Sequence, residues 1–368
     1  MRVHVVDPSA YTPPYDHALC AALARTGGAK VQLHTSRFAY GPVPEAEGYA
    51  VCEDFYRRTV GKPGSRLRLA AKLAQHVPDM LRYRRTAQRA DIVHLQWLTV
   101  QPVDVHLLPR GRPLVLTAHD VLPREPRRGQ LAAQRALYQR MDAVVVHSAH
   151  GRDRLVDTLG LDPGRVEVIP HGTFTHLAGR RDEVALPEEL AGVKGPVVLC
   201  FGLVRPYKGI DVLLEAWRGV QGAELWIVGL PKMDIAPLRA AAPPGVRWVP
   251  RFVTDREIPA YFRRAELVVL AYREIDQSGV LYTALAFGAP LLLTAVGGFP
   301  EVAATGAAAL VPPGDAAALG EQLRRLLGDE PARRALADAA RRAAVEVYGW
   351  DAIAERTLAL YRRLLAPG

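Results

Sequence analysis

Short apolar runs alternate with stretches of helical periodicity along the chain. In the first half these runs are rich in Val, Ile and Leu, and the alternation is typical of a mostly parallel sheet with helices between its strands. The predicted strands are residues 3–6, 31–34, 92–95, 114–117, 143–146 and 166–169. Helices are predicted between them, including 15–24 and 149–159, and Ser148 is a good N-cap for the second of these.

A second alternating series begins at Val197. Its predicted strands are residues 197–201, 224–228, 246–249, 267–270, 291–293 and 309–311. Residues 176–195, between the two series, are polar, charged and proline-bearing without a strong period, which predicts a linker. The sequence therefore predicts an α/β protein with two Rossmann-like domains, 1–175 and 196–346, that face each other across a cleft, followed by a closing segment at 347–368.

Length and composition agree with this division. The 368 residues fit two domains of about 150 to 200 residues each. The apolar runs are far shorter than the roughly 20 residues of a membrane helix, and Met1 is followed by a strand without the pattern of a signal peptide. Cys20, Cys52 and Cys200 have neither metal-ligand spacing nor the even count of a disulfide framework. We therefore expect a soluble, cytoplasmic protein without a metal site.

The formal net charge of +9 points to an anionic partner of some kind. The positive charge is densest at residues 66–72 and 82–85, where helical spacing leaves one apolar side. Two interpretations remain open for this basic segment: a solvated helix face, or peripheral contact with an anionic membrane at its inner face. A nucleic-acid partner is not expected, since the chain has no zinc spacing, RNP motif or basic strand interleaved with aromatic residues.

Two stretches carry the signature of anion sites. Residues 277–290 predict a loop, a short helix that begins at Ser278 and Gly279, and a stop at Gly288 and Pro290. Small residues at the start leave the first backbone N–H groups open to an anion, although an ordinary α/β unit would look similar. Residues 201–209 predict a turn with two cations between a strand and a helix. Because ligands bind at the carboxyl ends of strands in open sheets, the two stretches together predict a diphosphate clamp.

The first half offers candidate residues at the same kind of strand end. The loop after the first strand leads to Tyr15, Asp16 and His17, and it lacks the G-x-G-x-x-G of dinucleotide-binding folds, which counts against a dehydrogenase. His119 follows the strand at 114–117 and could handle a proton, although a loop histidine bonded to backbone is an alternative. His147, which closes the strand at 143–146, is left without a role.

Five motifs resemble, in their order and spacing, those of family 4 retaining glycosyltransferases of the GT-B fold, and the resemblance covers nearly the whole chain. They are FGLVRPYKG at 201–209, GVLYTALAFGAP at 279–290, GGFPE at 297–301, IPHG at 169–172 and YGWD at 348–351. The resemblance implies transfer of a sugar from a nucleoside-diphosphate sugar to a hydroxyl acceptor, without a metal or other cofactor. It also implies that the C-terminal helix packs back on the N-terminal domain.

The resemblance assigns roles to individual residues. It implies that Arg205 and Lys208 hold the donor diphosphate together with the helix start at 278–280, that is Ser278, Gly279 and Val280. His119 matches a histidine near the transferred sugar, and we place it in the catalytic site. The N-terminal domain, with Tyr15, Asp16 and His17 in its first loop, is expected to select the acceptor.

One departure from the family pattern affects the donor sugar. The family usually has two glutamates eight residues apart, and this chain has Ile275 and Thr283 at those positions. Glu274 and Asp276 flank the first, so we expect Glu274 to act in catalysis and Asp276, Gln277 and Thr283 to contact the sugar or ribose. The missing pair leaves open an alternative, a catalytically impaired nucleotide-sugar-binding protein of the same fold; a phosphorylase or epimerase is a further one.

Overall fold

The computed structural model describes residues 1–39, 41, 43–62, 64–98, 100–123, 126 and 128–366. Its contacts divide the chain into two compact units. The first unit comprises Met1–Pro170 and the segment that begins at Trp350, and the second comprises His171–Gly349. In the described part of the chain, no helix combines the length and apolarity needed to cross a bilayer.

The first unit contains a parallel sheet that is seven strands wide within the described residues, in the order β3-β2-β1-β4-β5-β6-β7. The strands are β1 (Arg2–Asp7), β2 (Lys30–Ser36), β3 (Ala50–Phe55), β4 (Ile92–Leu95), β5 (Leu114–Thr117), β6 (Ala143–Val146) and β7 (Val166–Val168). The helices are α1 (Pro13–Arg25), α2 (Arg66–Thr86), α3 (Gln101–Leu107), α4 (Gln130–Tyr138) and α5 (Ala149–Leu159). Central strands such as β4 and β6 are buried throughout, because helices cover both faces of a parallel sheet.

The edge strand β3 was not predicted. Its residues alternate between exposed and half-buried positions up to the buried Phe55, and it includes Glu53 and Asp54. A charged edge strand of this kind protects a sheet against pairing with another chain, and it lacks the continuous apolar run by which the other strands were recognised.

Helix α1 begins two residues earlier than predicted. Pro13 and Pro14 occupy its first positions, where proline has no hydrogen bond to lose and its fixed φ suits the helix. The turn-forming approach to the helix therefore ends at Thr12. Tyr15, Asp16 and His17 therefore lie in the first turns of the helix that was predicted over 15–24, and their description as an acceptor loop is corrected.

The basic segment forms α2, but its apolar residues are distributed differently from the prediction. The side that faces the core carries His76, Asp79, Met80 and Tyr83. Five aliphatic side chains of α2 are instead more than a third exposed, namely Leu67, Leu69, Leu73, Val77 and Leu81. This helix therefore presents leucines as well as positive charge away from the core.

The second unit contains a parallel sheet, six strands wide in the described residues, in the order β10-β9-β8-β11-β12-β13. Its strands are β8 (Val197–Phe201), β9 (Glu224–Val228), β10 (Val246–Val249), β11 (Leu267–Leu270), β12 (Leu291–Thr294) and β13 (Ala308–Val311). Its helices are α6 (Thr175–Ala178), α7 (Glu188–Ala191), α8 (Ile210–Trp217), α9 (Ala236–Ala240), α10 (Ile258–Arg264), α11 (Gly279–Ala286), α12 (Phe299–Ala303), α13 (Ala316–Gly328) and α14 (Glu330–Glu346).

The predicted linker, 176–195, is part of the second unit. Leu190 is buried in the core of that unit, and the backbone N–H of Val184 donates to the carbonyl of Arg256 at 2.8 Å. Arg264 donates to the carbonyls of Val193 and Gly195. The polar composition of the segment reflects hydrogen bonds along the surface of the unit, which composition alone does not distinguish from a free linker.

The last helix, α15 (Trp350–Leu365), belongs to the first unit. Trp350, Ile353 and Tyr361 lie in the core cluster that also contains Val5 of β1 and Leu19 of α1. The hydroxyl of Tyr361 lies 2.6 Å from Nδ1 of His94 in β4. The end of the chain therefore completes one face of the first sheet.

Each sheet has one topological switch point, where the strand order reverses. In the first unit it lies between β1 and β4, and in the second between β8 and β11. In open parallel sheets, ligands bind in the crevice outside the carboxyl ends of the strands at such a point. The loops that follow β1, β4, β8 and β11 are therefore the places to look for functional residues.

Candidate active site

The turn after β8 and the loop after β11 lie against each other in the second unit. The backbone N–H of Arg273 donates to the carbonyl of Tyr207 at 2.8 Å, and its guanidinium pairs with both oxygens of Asp211 at 2.7 and 2.6 Å. Gly209 has a φ of +62°, and a Cβ there would lie 2.1 Å from the carbonyl oxygen of Ala271. Only glycine permits this approach, which fixes the two segments on either side of the switch point.

Lys208 is buried in this arrangement. The residue is only 4% exposed. Its Nζ donates a hydrogen bond to the carbonyl of Phe201 at 3.0 Å and lies 5.0 Å from the ring centre of Tyr272. Burial lowers the pKa of Lys208, but the neighbouring Tyr272 outweighs this effect and leaves that pKa above its ordinary value. Within the described residues the ammonium has no carboxylate partner. It is therefore a buried, charged ammonium without a neighbouring carboxylate among these residues, and it can bind an anion.

The start of α11 adjoins Lys208. A Cβ on Gly202 would lie 2.8 Å from Nζ of Lys208 and 2.9 Å from Cγ2 of Val280. The backbone of Gly202 therefore lies against both Lys208 and the first turn of α11. Ser278 is at the N-cap position, but no side chain caps the helix, and its Oγ lies 3.4 Å from the hydroxyl of Tyr272. The first N–H groups of α11, at Gly279 and Val280, therefore remain open to an anion beside a buried cation.

Arg205 also follows β8, but it is exposed, at the position before the short helical turn Pro206–Lys208. Among the described residues its guanidinium has no hydrogen-bond or ion-pair partner. A free guanidinium next to the Lys208 site can bind two phosphate oxygens at once without first breaking an internal bond. The structure thus brings Lys208 together with the predicted helix start, and Arg205 precedes Lys208 by three residues in the same turn.

The remaining residues predicted to contact the donor lie in the loop after β11, and they differ in their exposure to solvent. Glu274 is exposed, whereas Asp276 and Gln277 are half-buried, and the amide oxygen of Gln277 accepts a hydrogen bond from the hydroxyl of Tyr282. A Cβ on Gly297 would lie 1.9 Å from the carbonyl oxygen of Ile275, so the GGFPE segment packs directly under this loop. The carboxylate of Glu274 is therefore more exposed to solvent than that of Asp276.

His119 lies after β5 in the first unit, with both ring nitrogens engaged. Nε2 lies 3.1 Å from Oε1 of Gln96, and Nδ1 lies 3.3 Å from Nε2 of His147. His147 donates through Nδ1 to the carbonyl of Ile169, and burial lowers the pKa of His147 to about 4. His147 is therefore neutral near pH 7, and because its Nδ1 donates to Ile169, its Nε2 is a hydrogen-bond acceptor that faces Nδ1 of His119.

Ring contacts hold His119 in the same orientation. Its ring stacks on Trp97 with centroids 5.1 Å apart, and the edge of Tyr15 meets it at 4.7 Å. Trp97 in turn donates from Nε1 to the hydroxyl of Thr12, after β1. The loops after β1, β4, β5 and β6 thus converge on His119 at the carboxyl edge of the first sheet.

The structure assigns packing contacts to the three residues predicted to form an acceptor loop. Tyr15, Asp16 and His17 are all buried. Nδ1 of His17 lies 2.6 Å from the hydroxyl of Tyr49. Burial and the charge of Asp7 raise the pKa of Asp16 well above its ordinary value. A protonated Asp16 donates to Asp7, which also accepts hydrogen bonds from the backbone of Ser9 and Thr12, so these carboxyls shape the loop from beneath.

Comparison with known proteins gives the family of the chain. The family model described as Glycosyltransferase Family 4 matches residues 15–177, and that described as Glycosyl transferases group 1 matches residues 195–329. The D-inositol 3-phosphate glycosyltransferase of Salinispora arenicola is 30% identical over 320 residues, which cover 77% of this chain and 70% of the relative. The chain belongs to glycosyltransferase family 4.

Two further comparisons concern this glycosyltransferase. The alpha-maltose-1-phosphate synthase of Mycolicibacterium smegmatis is 28% identical over 312 residues, with 76% of this chain and 81% of the relative covered. The solved structure of Anabaena HepE in complex with UDP-glucose superimposes with a TM-score of 0.72 at 19% identity, over 99% of this chain and all of the other. The likeness shows that the glycosyltransferase has the GT-B fold, with two Rossmann-like domains.

Thr283, which replaces the second family glutamate, does not offer its hydroxyl proton to a ligand. The residue is buried, and its Oγ1 donates to the carbonyl of Gly279 at 2.9 Å, within α11 itself. Back-bonding of this kind is common for threonine inside helices. The structure therefore counts against the predicted contact between the Thr283 hydroxyl and a ribose.

We expect the substitution Thr283→Val to leave donor affinity within about twofold of the wild type. Valine keeps the shape of the side chain and removes a hydroxyl that is bonded within the helix. The measurement is calorimetric titration of the preferred donor nucleotide. Thr283→Ser, which keeps the hydroxyl, is the matched control. A loss of more than tenfold in the valine variant alone would restore the ribose contact.

Several residues of the glycosyltransferase site were missed from the sequence. They are Gly202 and Tyr272 beside Lys208, and Gln96, Trp97 and His147 around His119. Their common feature is a position just after a strand, at or near its carboxyl end. That rule could have selected them, but their contacts cross between strands and depend on the register of the sheet.

One group of potential metal ligands also escaped the search by sequence spacing. His34, Cys52 and Asp54 offer ligand atoms within 4.8 Å of one another, because His34 pairs directly with Cys52 across β2 and β3. Asp54 already accepts hydrogen bonds from Nδ1 of His34 at 2.7 Å and from Arg57 at 2.6 Å. These bonds account for the grouping without an ion, and it lies away from His119.

Proposed function

We propose that this glycosyltransferase moves a sugar from a nucleoside-diphosphate sugar to a hydroxyl of an acceptor, with retention of the anomeric configuration. The observation that carries the proposal is the buried ammonium of Lys208, which lacks a carboxylate partner among the described residues and adjoins the uncapped start of α11. A diphosphate would supply the missing negative charge and accept hydrogen bonds from the helix N–H groups. HepE, which shares the fold, has been solved with UDP-glucose, and this supports a donor of that class.

In the proposed reaction, the second unit stabilises the departing nucleoside diphosphate. Negative charge grows on the bridging phosphate oxygen as the bond to the sugar carbon breaks. Lys208, the N–H groups of Gly279 and Val280, and Arg205 would receive that charge without reorganisation, which is the largest contribution in many enzymes. Asp276 and Glu274 are the carboxylates available to the sugar hydroxyls.

The anomeric configuration would be retained because the acceptor attacks the anomeric carbon from the same face as the one from which the diphosphate leaves. The acceptor oxygen forms the new bond to the anomeric carbon, the bond from that carbon to the phosphate oxygen breaks, and the acceptor proton passes to the departing phosphate. No protein nucleophile is then required. His119, held in orientation by Gln96 and His147, would lie beside the transferred sugar.

The test is a panel of nucleoside-diphosphate sugars, first by thermal unfolding and then by turnover. A donor at 100 times its dissociation constant stabilises the native state by about 2.7 kcal/mol, so a true donor should raise the melting temperature clearly. The anomeric configuration of the product, read by NMR coupling constants, should match that of the donor.

Three results would change the proposal. If every nucleoside-diphosphate sugar leaves the melting temperature unchanged and none is consumed, the donor assignment fails. If the product has the opposite anomeric configuration, the transfer is inverting. Binding without consumption would favour the catalytically impaired alternative, which the replacement of both family glutamates by Ile275 and Thr283 supports.

A further inference from the structure

A cavity of about 550 Å³ opens in the first unit beside the loop after β1. Tyr11, Phe38, Leu69, Leu73 and Val100 give it a largely apolar wall, and Lys72 supplies a positive charge. Leu69 and Leu73 come from α2 and are more than half exposed. The cavity therefore joins the loop after β1 to the basic helix, two features that the sequence suggested separately as acceptor determinants.

A second cavity, of about 870 Å³, adjoins the first and shares Phe38, Tyr56 and Lys72 with it. Its lining is cationic. The positive side chains are Arg37, Arg57, Arg68 and Lys72, against the single carboxylate of Glu53. An apolar cavity and a cationic cavity thus meet at one lysine.

Lys72 lacks a counter-charge in this position. It is half-buried, and within the described residues it has no ion pair; its Nζ lies 4.9 Å from the ring centre of Tyr56. Burial and the nearby Arg68 lower the pKa of Lys72, so the protein disfavours its charge in the absence of an anion. A bound anionic group would reverse that cost.

The backbone around the cavity is strained. Among the described residues other than glycine, positive φ angles occur at Ala10 (+50°) and Tyr56 (+53°), and both line the first cavity. Positive φ in a residue as bulky as tyrosine is costly and persists only where the surroundings enforce it. The backbone N–H of Tyr56 donates to Asp79 at 2.7 Å, and its hydroxyl lies 2.8 Å from Nδ1 of His76.

A buried chain of hydrogen bonds fixes that tyrosine. Nε2 of His76 lies 2.6 Å from Oδ1 of Asp104, and the other oxygen of Asp104 accepts from the backbone of Val100, which is itself part of the cavity wall. With its hydroxyl directed to His76, Tyr56 presents its ring between the two cavities and beneath Lys72. The structure therefore maintains strain at Tyr56, a residue that lines both cavities and lies beneath the cation.

We propose that the paired cavities bind an anionic amphiphile, with its apolar part against Tyr11, Leu69 and Leu73 and a phosphate or similar anion against Lys72 and Arg68. The exposed leucines of α2 outside the cavity, Leu67 and Leu81, favour a lipid phosphate as the source of this ligand over a soluble phosphate ester. The inference rests on the proposed function in one respect, that this amphiphile is the acceptor.

The binding test uses three probes on the full chain: n-octyl phosphate below its micellar concentration, n-octyl glucoside and inorganic phosphate. We expect n-octyl phosphate to bind about tenfold or more tightly than either of the others, since only it combines both features. Lys72→Met should reduce its affinity to that of the glucoside, while Lys30→Met, at an exposed lysine at the start of β2, should change nothing. Equal affinities for the two octyl probes, or a normal Lys72→Met variant, would overturn the proposal.

The apolar wall of the cavity is tested with a matched pair of variants. Leu73→Asn should weaken both octyl probes about tenfold, and Leu67→Asn, on the same helix but outside the lining, should weaken neither. Both leucines are more than half exposed, so neither change threatens the core. If Leu67→Asn weakened the probes as much as Leu73→Asn, the apolar part would lie on the helix surface and the cavity assignment would fail.

Vesicles distinguish the source of the anion. We expect sedimentation with phosphatidylcholine vesicles that contain phosphatidic acid and not with pure phosphatidylcholine, with loss at high salt and in Lys72→Met. Binding of n-octyl phosphate without any vesicle binding would overturn the lipid source and leave a soluble phosphate ester.

The test is independent of the donor site. Lys72→Met should keep the stabilisation by a nucleoside diphosphate, because Lys72 lies in the first unit and the donor residues lie in the second. If no nucleotide sugar binds while n-octyl phosphate does, the proposed function fails and the amphiphile site stands. If the reverse occurs, the inference fails and the proposed function stands.

Discussion

Lys208→Met is expected to weaken binding of the donor nucleoside diphosphate by about 10- to 150-fold. A hydrogen bond to a charged group contributes about 1.5 to 3 kcal/mol, and each 1.36 kcal/mol corresponds to a factor of ten. Methionine keeps the apolar stem that packs in the buried site, so the substitution removes charge with little loss of volume. Calorimetric titration with the diphosphate gives the affinity, and thermal unfolding reports whether the second unit stays folded.

The matched control for this variant is Lys194→Met. Lys194 is exposed and precedes β8, so it lies toward the amino end of the strand whose carboxyl end carries the site. Donor affinity should stay at the wild-type value in the control. Equal affinities in Lys208→Met and the wild type would show that the diphosphate does not contact the buried ammonium.

Gly209→Ala is expected to destabilise the second unit by about 2 to 5 kcal/mol and to impair donor binding. Left-handed backbone costs an L-residue about 1 to 2 kcal/mol, and overpacking typically adds about 1 to 3 kcal/mol. The added Cβ would lie 2.1 Å from the carbonyl oxygen of Ala271, so the turn that carries Lys208 must move away from the loop after β11. Urea unfolding measures the first effect and titration the second.

Gly222→Ala separates the two causes. Gly222 has a similar φ of +73°, but its Cβ would meet nothing within 4 Å. This control should cost only the backbone term and leave donor affinity unchanged. If the two alanine variants were equally stable, the close approach at Ala271 would have no energetic consequence.

The fold was largely predictable because the strands are buried on both faces. Runs such as 197–201 and 267–270 are continuous and apolar, and the structure places β8 and β11 at those bounds. The charged edge strand β3 gave no such run. Residues 176–195 gave no such run either, since Leu186, Leu190 and Val193 pack an otherwise polar segment against the core.

The site was predictable where a single local segment carries the chemistry. Arg205, Lys208 and the helix start at Gly279 were found because each follows a strand with a recognisable turn. The contacts that give Lys208 its character, with Tyr272 and across Gly202, join residues from different strands. His147 shows the same limit: its hydrogen bond with His119 spans 28 positions and depends on β5 and β6 being neighbours.

Burial could not be predicted for the residues after β1. Polar side chains in the pattern Tyr15, Asp16 and His17 suit a ligand loop equally well as a helix start. In the structure, the carboxylate of Asp7 accepts hydrogen bonds from the backbone N–H groups of Ser9 and Thr12, which precede the helix. Asp16 forms a hydrogen bond with Asp7 and is buried beneath this segment. The residues after β1 that reach a cavity precede the helix; they are Ser9, Ala10 and the exposed Tyr11.

The position of α15 has a consequence for biosynthesis. Because Trp350, Ile353 and Tyr361 fill the core of the first unit, that unit is still incomplete while the ribosome makes residues 171–349. The second unit is continuous in sequence and can finish folding before the chain is released. The part of the protein that is translated first is therefore the last to acquire its full core, and until then its apolar face next to β1 is a surface on which chaperones can act.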